Sequence, residues 1–385
     1  MAEAALSFAA ELGVEKAMKR HTLYGWHLSY FSGKLRSYLA YKQIPFDDRD
    51  ANAYQLMVQG KRKTGVVAMP LLRTPKNVWM QDTSDAIEYL ERRFPNRAIV
   101  PSTPRQRFLS YWLEAWADEW WIPIAMQTRW RHPENYSLFE HDAGGALLPG
   151  FPSRLQKLAA ARIATRLRGY LPAVGVRDEQ DELLSRWTLQ MLDALEQHFE
   201  SQRYLLGDRP SLADFALMGP MYGHLGRDPW PARELIKPRR HLRAWIDRMA
   251  KPEPSTLETA AWPADDVLPL TLQPVIMSSF NEFLPMLVGI ATQLKALAAD
   301  WPLERRIPRS LADVEAPMLD GTFRRAAMPY TLWMAQRALN QIDSLPAQEA
   351  HELRAWLGQQ GAESLLDLGS PALARDGLQA RFKST

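Results

Sequence analysis

The pair Met69-Pro70, at the head of the apolar run Leu71-Leu72, constrains this chain more than any other feature. Proline cannot donate to a strand ladder, so the chain must enter this strand through a turn or a cis peptide bond. Such a bend leaves main-chain groups of Met69 open, and a bound peptide can pair with them as an added strand would. Thr74-Pro75-Lys76-Asn77 carries turn chemistry, and Val78-Trp79-Met80 resumes an apolar strand. One of Asp82, Thr83 and Ser84 then caps a helix whose apolar face is Ala86, Ile87, Leu90 and Phe94, and Pro95 stops it. Free amides and positive dipole at that helix start favour a carboxylate.

Composition narrows the class. With 385 residues, 46% of them hydrophobic, the chain can bury large cores and its length suggests two or three domains. The 47 Lys and Arg against 44 Asp and Glu leave a net charge of only +3, which gives little support to a nucleic-acid partner. Short basic runs such as Lys61-Arg62-Lys63 and Arg324-Arg325 read as solvated faces. Cysteine is absent, so no disulfide, thiolate metal site or cysteine nucleophile of the chain's own is available. Residues 1–20 form an amphipathic helical pattern with Glu3, Glu11 and Glu15, unlike a signal peptide. The most apolar later stretch, Phe283 to Leu297, is interrupted by Pro285, Gln293 and Lys295 and is too short to span a bilayer. The expectation is a cytoplasmic protein with no membrane partner.

Patterns along the chain divide it into sections. Residues 21–98 read as strand, helix, strand, helix, strand, strand, helix: Thr22 to Trp26, Lys34 to Lys42 and Ile44-Pro45-Phe46 open that series. Residues 104–250 are mostly helical, with Trp112, Trp116 and Trp120 sharing one helix face. His132 to Pro152, with Gly144-Gly145 and three prolines, reads as a long loop suited to a lid. Lys251-Pro252-Glu253-Pro254 marks a boundary, and residues 251–385 are expected to form a further helical region. Within it, the aromatic and basic segment Gly321 to Met334 reads as a packing seam, with a share in a substrate pocket as the alternative.

Three segments together resemble the glutathione transferase superfamily. Ser29-Tyr30-Phe31-Ser32-Gly33-Lys34-Leu35-Arg36 is similar to the serine-type pattern, in which a serine follows the first strand and opens the first helix. The proline bend and capped helix form the second. Tyr204 to Phe215, containing Asp208-Arg209-Pro210-Ser211-Leu212-Ala213-Asp214, is the third; there Ser211 and Asp214 can close a capping box, a structural role. The resemblance covers residues 21–250. It implies an α+β multidomain protein: a thioredoxin-like domain, an all-α domain, and here an additional helical region outside the usual pattern.

The resemblance also implies a chemistry. Glutathione's thiol ionises incompletely at neutral pH, and a hydroxyl donor at a helix N-terminus stabilises the thiolate by hydrogen bond and dipole. Ser29 stands where serine-type members place that hydroxyl; Tyr24, Tyr30 and Ser32 are alternatives, and Ser29 as a simple cap is the structural counter-reading. The family binds the γ-glutamyl end through Glu or Gln followed by Ser, and those positions hold Thr83 and Ser84. Ser84 matches. Thr83 lacks the charge or amide that would meet the ammonium, and neighbouring Asp82 offers an acid at a shifted position. Met69 would offer backbone beside Pro70, and Lys61, Arg62 or Lys63 a cation for the glycyl carboxylate. Trp116, Trp120 and Trp121 are candidates for an apolar second-substrate pocket, against the reading that they are core. The eight histidines show no metal-ligand spacing, no metal is expected, and no serine lies in a hydrolase frame. The function expected is attack of the glutathione thiolate on an apolar electrophile, by conjugation, ether cleavage, isomerisation or dehalogenation, within a possible homodimer. A fold-retaining protein that binds ligands or partners without catalysis is the alternative.

Overall fold

The computed structural model describes residues 20–252 and 261–383; residues 1–19, expected to be helical, and most of the boundary after Pro252 lie outside the described residues. The chain opens with strand β1 (His21–Gly25), helix α1 (Tyr30–Tyr41) and strand β2 (Phe46–Asp50), followed by a helical turn, α2 (Lys61–Thr64). Strands β3 (Leu71–Arg73) and β4 (Trp79–Met80) and helix α3 (Thr83–Glu91) complete the unit. The sheet order is β2-β1-β3-β4, with β1 parallel to β2 and antiparallel to β3, so the sheet is mixed. Leu23 pairs with Leu72 and Tyr24 with Leu71, which places the strand after Pro70 at the sheet's centre. The thioredoxin-like order of strands and helices read from the sequence is the one observed.

Helices α4 (Pro104–Glu119), α5 (Ile122–Arg131), α6 (Asn135–Leu147), α7 (Ser153–Arg168), α8 (Asp181–Ser201), α9 (Leu212–Pro220) and α10 (Arg240–Ala250) form the all-α part. Here α6 replaces the long loop expected over His132 to Pro152. Its prolines flank the helix instead of interrupting it, and Phe139, Ala143, Ala146 and Leu147 give it a buried face. Gly144 is a contact residue: a Cβ there would stand 2.7 Å from the Gln156 carbonyl oxygen on α7, so glycine lets the two backbones meet.

The third section contains α11 (Gln273–Ser278), α12 (Leu284–Ala298), a hairpin of β5 (Asp313–Met318) and β6 (Gly321–Ala326), α13 (Pro329–Asp343), α14 (Ala347–Gln359), and a second hairpin of β7 (Leu373–Asp376) and β8 (Gln379–Phe382). A purely helical extension was expected, so the hairpins amend that reading. In β5 burial alternates residue by residue, with Val314, Ala316 and Met318 inside, the period-two signature of a half-buried strand. The apolar stretch is also longer than expected: continuous helical structure runs over Leu270–Ala298, 29 residues, enough by length and composition to cross a membrane, but 61% of its most apolar window is buried within the protein. Its apolar surface is therefore spent on the core. One hydrophobic cluster joins Leu23, Leu72, Trp116, Leu217, Ile290 and Leu332, so the third section packs into the same core as the first two.

Candidate functional site

A cavity of about 220 Å³ opens beside the proline bend. Met69-Pro70 is a cis peptide bond, and Met69 lines the cavity with Asp82, Thr83 and Phe31. Among the described residues, neither the N–H nor the C=O of Met69 has a hydrogen-bond partner, because the ladder with β1 begins only at Leu71. An accepting and donating main-chain edge therefore faces the cavity, the situation that suits a peptide ligand.

The head of α3 is arranged differently from the expectation. Asp82 is the N-cap, its Oδ1 accepting from the amides of Ser84 and Asp85 at 3.0 Å each, and its Oδ2 accepting the Tyr330 hydroxyl from the third section. Two amides expected to be free for a ligand carboxylate are thus already satisfied. Ser84, 2% exposed, donates its hydroxyl to Glu114 Oε1 at 2.7 Å. Its hydroxyl and its amide both have partners within the protein, where the expectation set them on the γ-glutamyl carboxylate.

Beneath Ser84 lies a buried ionic cluster. Lys34, fully buried on α1, reaches Glu114 Oε1 at 2.7 Å, Asp118 Oδ2 at 2.5 Å and Ser84 Oγ at 3.2 Å. Arg337 from α13 pairs with the other oxygen of Glu114 and reaches Glu88 at 2.5 Å. Burial drives Glu114 upward, but Arg337 and Lys34 outweigh it and hold the carboxyl below its usual range. Asp118 is pushed up to about 7 by burial, with Lys34 opposing and Glu114 adding to the rise. Burial draws the Lys34 ammonium down, and the two acids more than restore it. None of Glu114, Asp118, Arg337 and Tyr330 was singled out for the site by sequence reasoning. A signal existed for two: Glu114 and Asp118 are four residues apart and therefore share a face of α4.

The remaining candidates are dispersed. Ser29 is the N-cap of α1, half-buried, its Oγ accepting from the Ser32 amide at 3.4 Å; it does not line the cavity, which Phe31 does. Tyr30 is buried, and its hydroxyl donates to the Ala117 carbonyl. Its ring lies so close to Gly219 on α9 that a Cβ there would come within 2.4 Å, which pins the start of α1 to the all-α part. Ser32 is fully buried and its Oγ has no partner. Tyr24 is in the core, stacked on Trp79. These environments remove Tyr24, Tyr30 and Ser32 as accessible donors to a ligand. Lys61, Arg62 and Lys63 are exposed on α2 and do not line the cavity. Trp116, Trp120 and Trp121 are at most 1% exposed and pack on one another, on Trp187 and on Phe323, so they form core and no second-substrate pocket. Asp214 is fully buried and accepts from Ser211 N and Oγ, Leu205 N and Trp245 Nε1 at 2.8 to 3.1 Å, the structural role expected of it. In the segment from Gly321, Phe323 and Leu332 are core, while Met328 and Tyr330 line the cavity.

Residues 23–98 match the family model of the glutathione S-transferase N-terminal domain, and residues 188–248 that of the glutathione S-transferase C-terminal domain. No curated protein matches the chain. Among solved structures it is similar to a glutathione S-transferase from Rhodospirillum rubrum F11, with 18% identity over 66% of this chain and 97% of that one and a TM-score of 0.38. Another is the beta-etherase LigF of Sphingobium sp. strain SYK-6, with 20% identity over 62% and 97% and a TM-score of 0.42. A third is a glutathione S-transferase of Methylobacterium radiotolerans JCM 2831 in complex with glutathione sulfonate, with 18% identity over 63% and 96% and a TM-score of 0.37. The assignment rests on the two domain matches, which occur in order and fall on the α/β unit and on the helices from α8 to α10. Through these two segments, which together span less than half of its length, the chain is similar to the glutathione S-transferase superfamily.

Proposed function

We propose that the protein is a glutathione-dependent transferase that holds the tripeptide along the Met69 main chain and uses Ser29 to stabilise its thiolate. The observation that carries this reading is the unpaired N–H and C=O of Met69 on the cavity wall, which offer a cysteinyl unit a strand-like partner. Ser29 supports it as the one candidate hydroxyl at a helix N-terminus that is not buried, where dipole and hydrogen bond both favour an anion. The thiolate would attack an apolar electrophile, by conjugation, ether cleavage, isomerisation or dehalogenation. Titrating glutathione while following ultraviolet thiolate absorbance tests the reading: a bound, ionised thiol is expected, and no binding at millimolar glutathione refutes it. Ser29→Ala should keep glutathione affinity within a few-fold and lower turnover by about 10²-fold or more, the scale of one lost donor to a developing anion; unchanged turnover removes Ser29 from the mechanism.

A second reading, a ligand-binding protein without catalysis, is favoured by one specific arrangement. Tyr330 and Asp82 occupy the head of α3, and Ser29 is absent from the cavity wall. That reading predicts glutathione binding with no thiolate band.

A further inference from the structure

Helix α7 carries a face that the rest of the protein does not use. It packs principally on α6, burying Ala160 and Ala164 with Ile163 and Leu167 beside them. Its other side is exposed. There Leu155 and Leu158, three residues apart and so on one face, are 46% and 53% exposed, and Phe151, just before the helix, is 54% exposed. Around them stand Arg154, Lys157, Arg162, Arg166 and Arg168, all exposed. No Asp or Glu occurs between Asp142 and Asp178. Among the described residues only Lys157 of these five cations is in an ion pair, with Glu140 on α6 at 3.3 Å, and Asp142 is taken by Arg227. Arg168 rests on the rings of Trp130 and Tyr136. Exposed apolar side chains set among uncompensated cations are unfavourable in water and match an anionic layer with an apolar interior.

We propose that this face docks the protein on the surface of an anionic lipid membrane, with Phe151, Leu155 and Leu158 entering the headgroup region and the cations meeting lipid phosphates. Docking of this kind needs no spanning helix. Two other occupants fit less well. In a symmetric contact with a second copy the face would meet itself and set cations against cations, with no acid on α7 to offset them. A nucleic acid would satisfy the cations but leave the three apolar side chains without a partner. The apolar cluster beneath α7 also includes Met69, so the docking face and the proline bend belong to one packed unit. Docking does not depend on the glutathione reading.

The test co-sediments the full chain with unilamellar vesicles, either of phosphatidylcholine alone or of an equal mixture of phosphatidylcholine and phosphatidylglycerol. Binding to the mixed vesicles should be at least about 10-fold tighter than to phosphatidylcholine and should weaken as salt is raised. Arg154→Gln/Arg162→Gln should weaken it about 25-fold, at about 5-fold for each cation near the surface. Leu155→Ser/Leu158→Ser, which keeps every charge, should weaken it about 10-fold or more. All four positions are exposed, and circular dichroism checks that the variants fold. No capture by mixed vesicles, or capture that both variants retain, overturns the proposal. Loss with the arginine pair alone, in step with loss of binding to duplex DNA, assigns the face to nucleic acid and also overturns it. A dimer in analytical ultracentrifugation that Leu155→Ser/Leu158→Ser dissociates, without capture by vesicles, assigns the face to a second copy and overturns it as well.

Discussion

Arg337→Met offers a quantitative test of how the third section is fastened to the site. Arg337 lies on α13 and is 7% exposed, and its two carboxylate partners are the fully buried Glu114 and the half-buried Glu88. Removing one partner of a buried pair typically costs about 3–5 kcal/mol, because the other charge stays behind. Two features argue for the lower end. Glu114 keeps Lys34 and the Ser84 hydroxyl, both at 2.7 Å, and Glu88 can turn to water. The expected loss is therefore about 3 kcal/mol at pH 7.5. It should depend on pH with a definite sign. Glu114 is held below its ordinary 4.5 in the folded protein, so its contribution is present above that value and is lost as pH falls through the folded one. The gap between wild type and variant should accordingly be full above about pH 6 and narrow as pH falls toward 4.5 and below. Urea unfolding followed by tryptophan fluorescence measures it; with a slope of about 3 kcal/mol per molar urea, the midpoint should fall by about 1 M. A shift below about 0.3 M at pH 7.5, or a gap that does not close toward acid pH, would refute the reasoning.

Other outcomes follow from the same contacts. Tyr330→Phe removes the hydroxyl that donates to Asp82 and should lower stability by about 1.5–3 kcal/mol in thermal or urea unfolding; an unchanged midpoint would mean that the contact contributes nothing. His198 is fully buried, with Nε2–H donating to the Tyr204 carbonyl at 3.2 Å and Nδ1 accepting from Thr271 at 2.9 Å, and burial pulls it down from 6.5 to about 4. Its neutral form is bound in the fold, so its contribution is full above pH 6.5 and about 3 kcal/mol is lost as pH falls to 4. Histidine NMR titration should find His198 unprotonated at pH 5.5, and a titration near 6.5 would contradict the buried environment.

Sequence reading disclosed the features whose chemistry is local. Pro70 forces its bend, Asp82 its cap and Asp214 its fold-back hydrogen bonds within a few residues, and each left a signature. The ionic cluster left none that a single stretch could display, since Lys34 meets Glu114 across 80 residues and Arg337 meets Glu114 across 223. Such pairings are set by packing, which a chain read in order does not reveal. The tryptophans show the same limit from the other side. Their spacing disclosed a shared face, but core and pocket produce the same helical period, and burial decided for core. Over helix α6, Gly144-Gly145 and the flanking prolines read as breakers in the sequence, whereas in the fold Gly144 admits the neighbouring helix.

A crystal structure of the protein soaked with glutathione tests the central claim most directly. The account predicts the cysteinyl main chain hydrogen-bonded to the N–H and C=O of Met69, with its sulfur toward Ser29. Tripeptide bound away from Met69, or an empty cavity at millimolar glutathione, would contradict it.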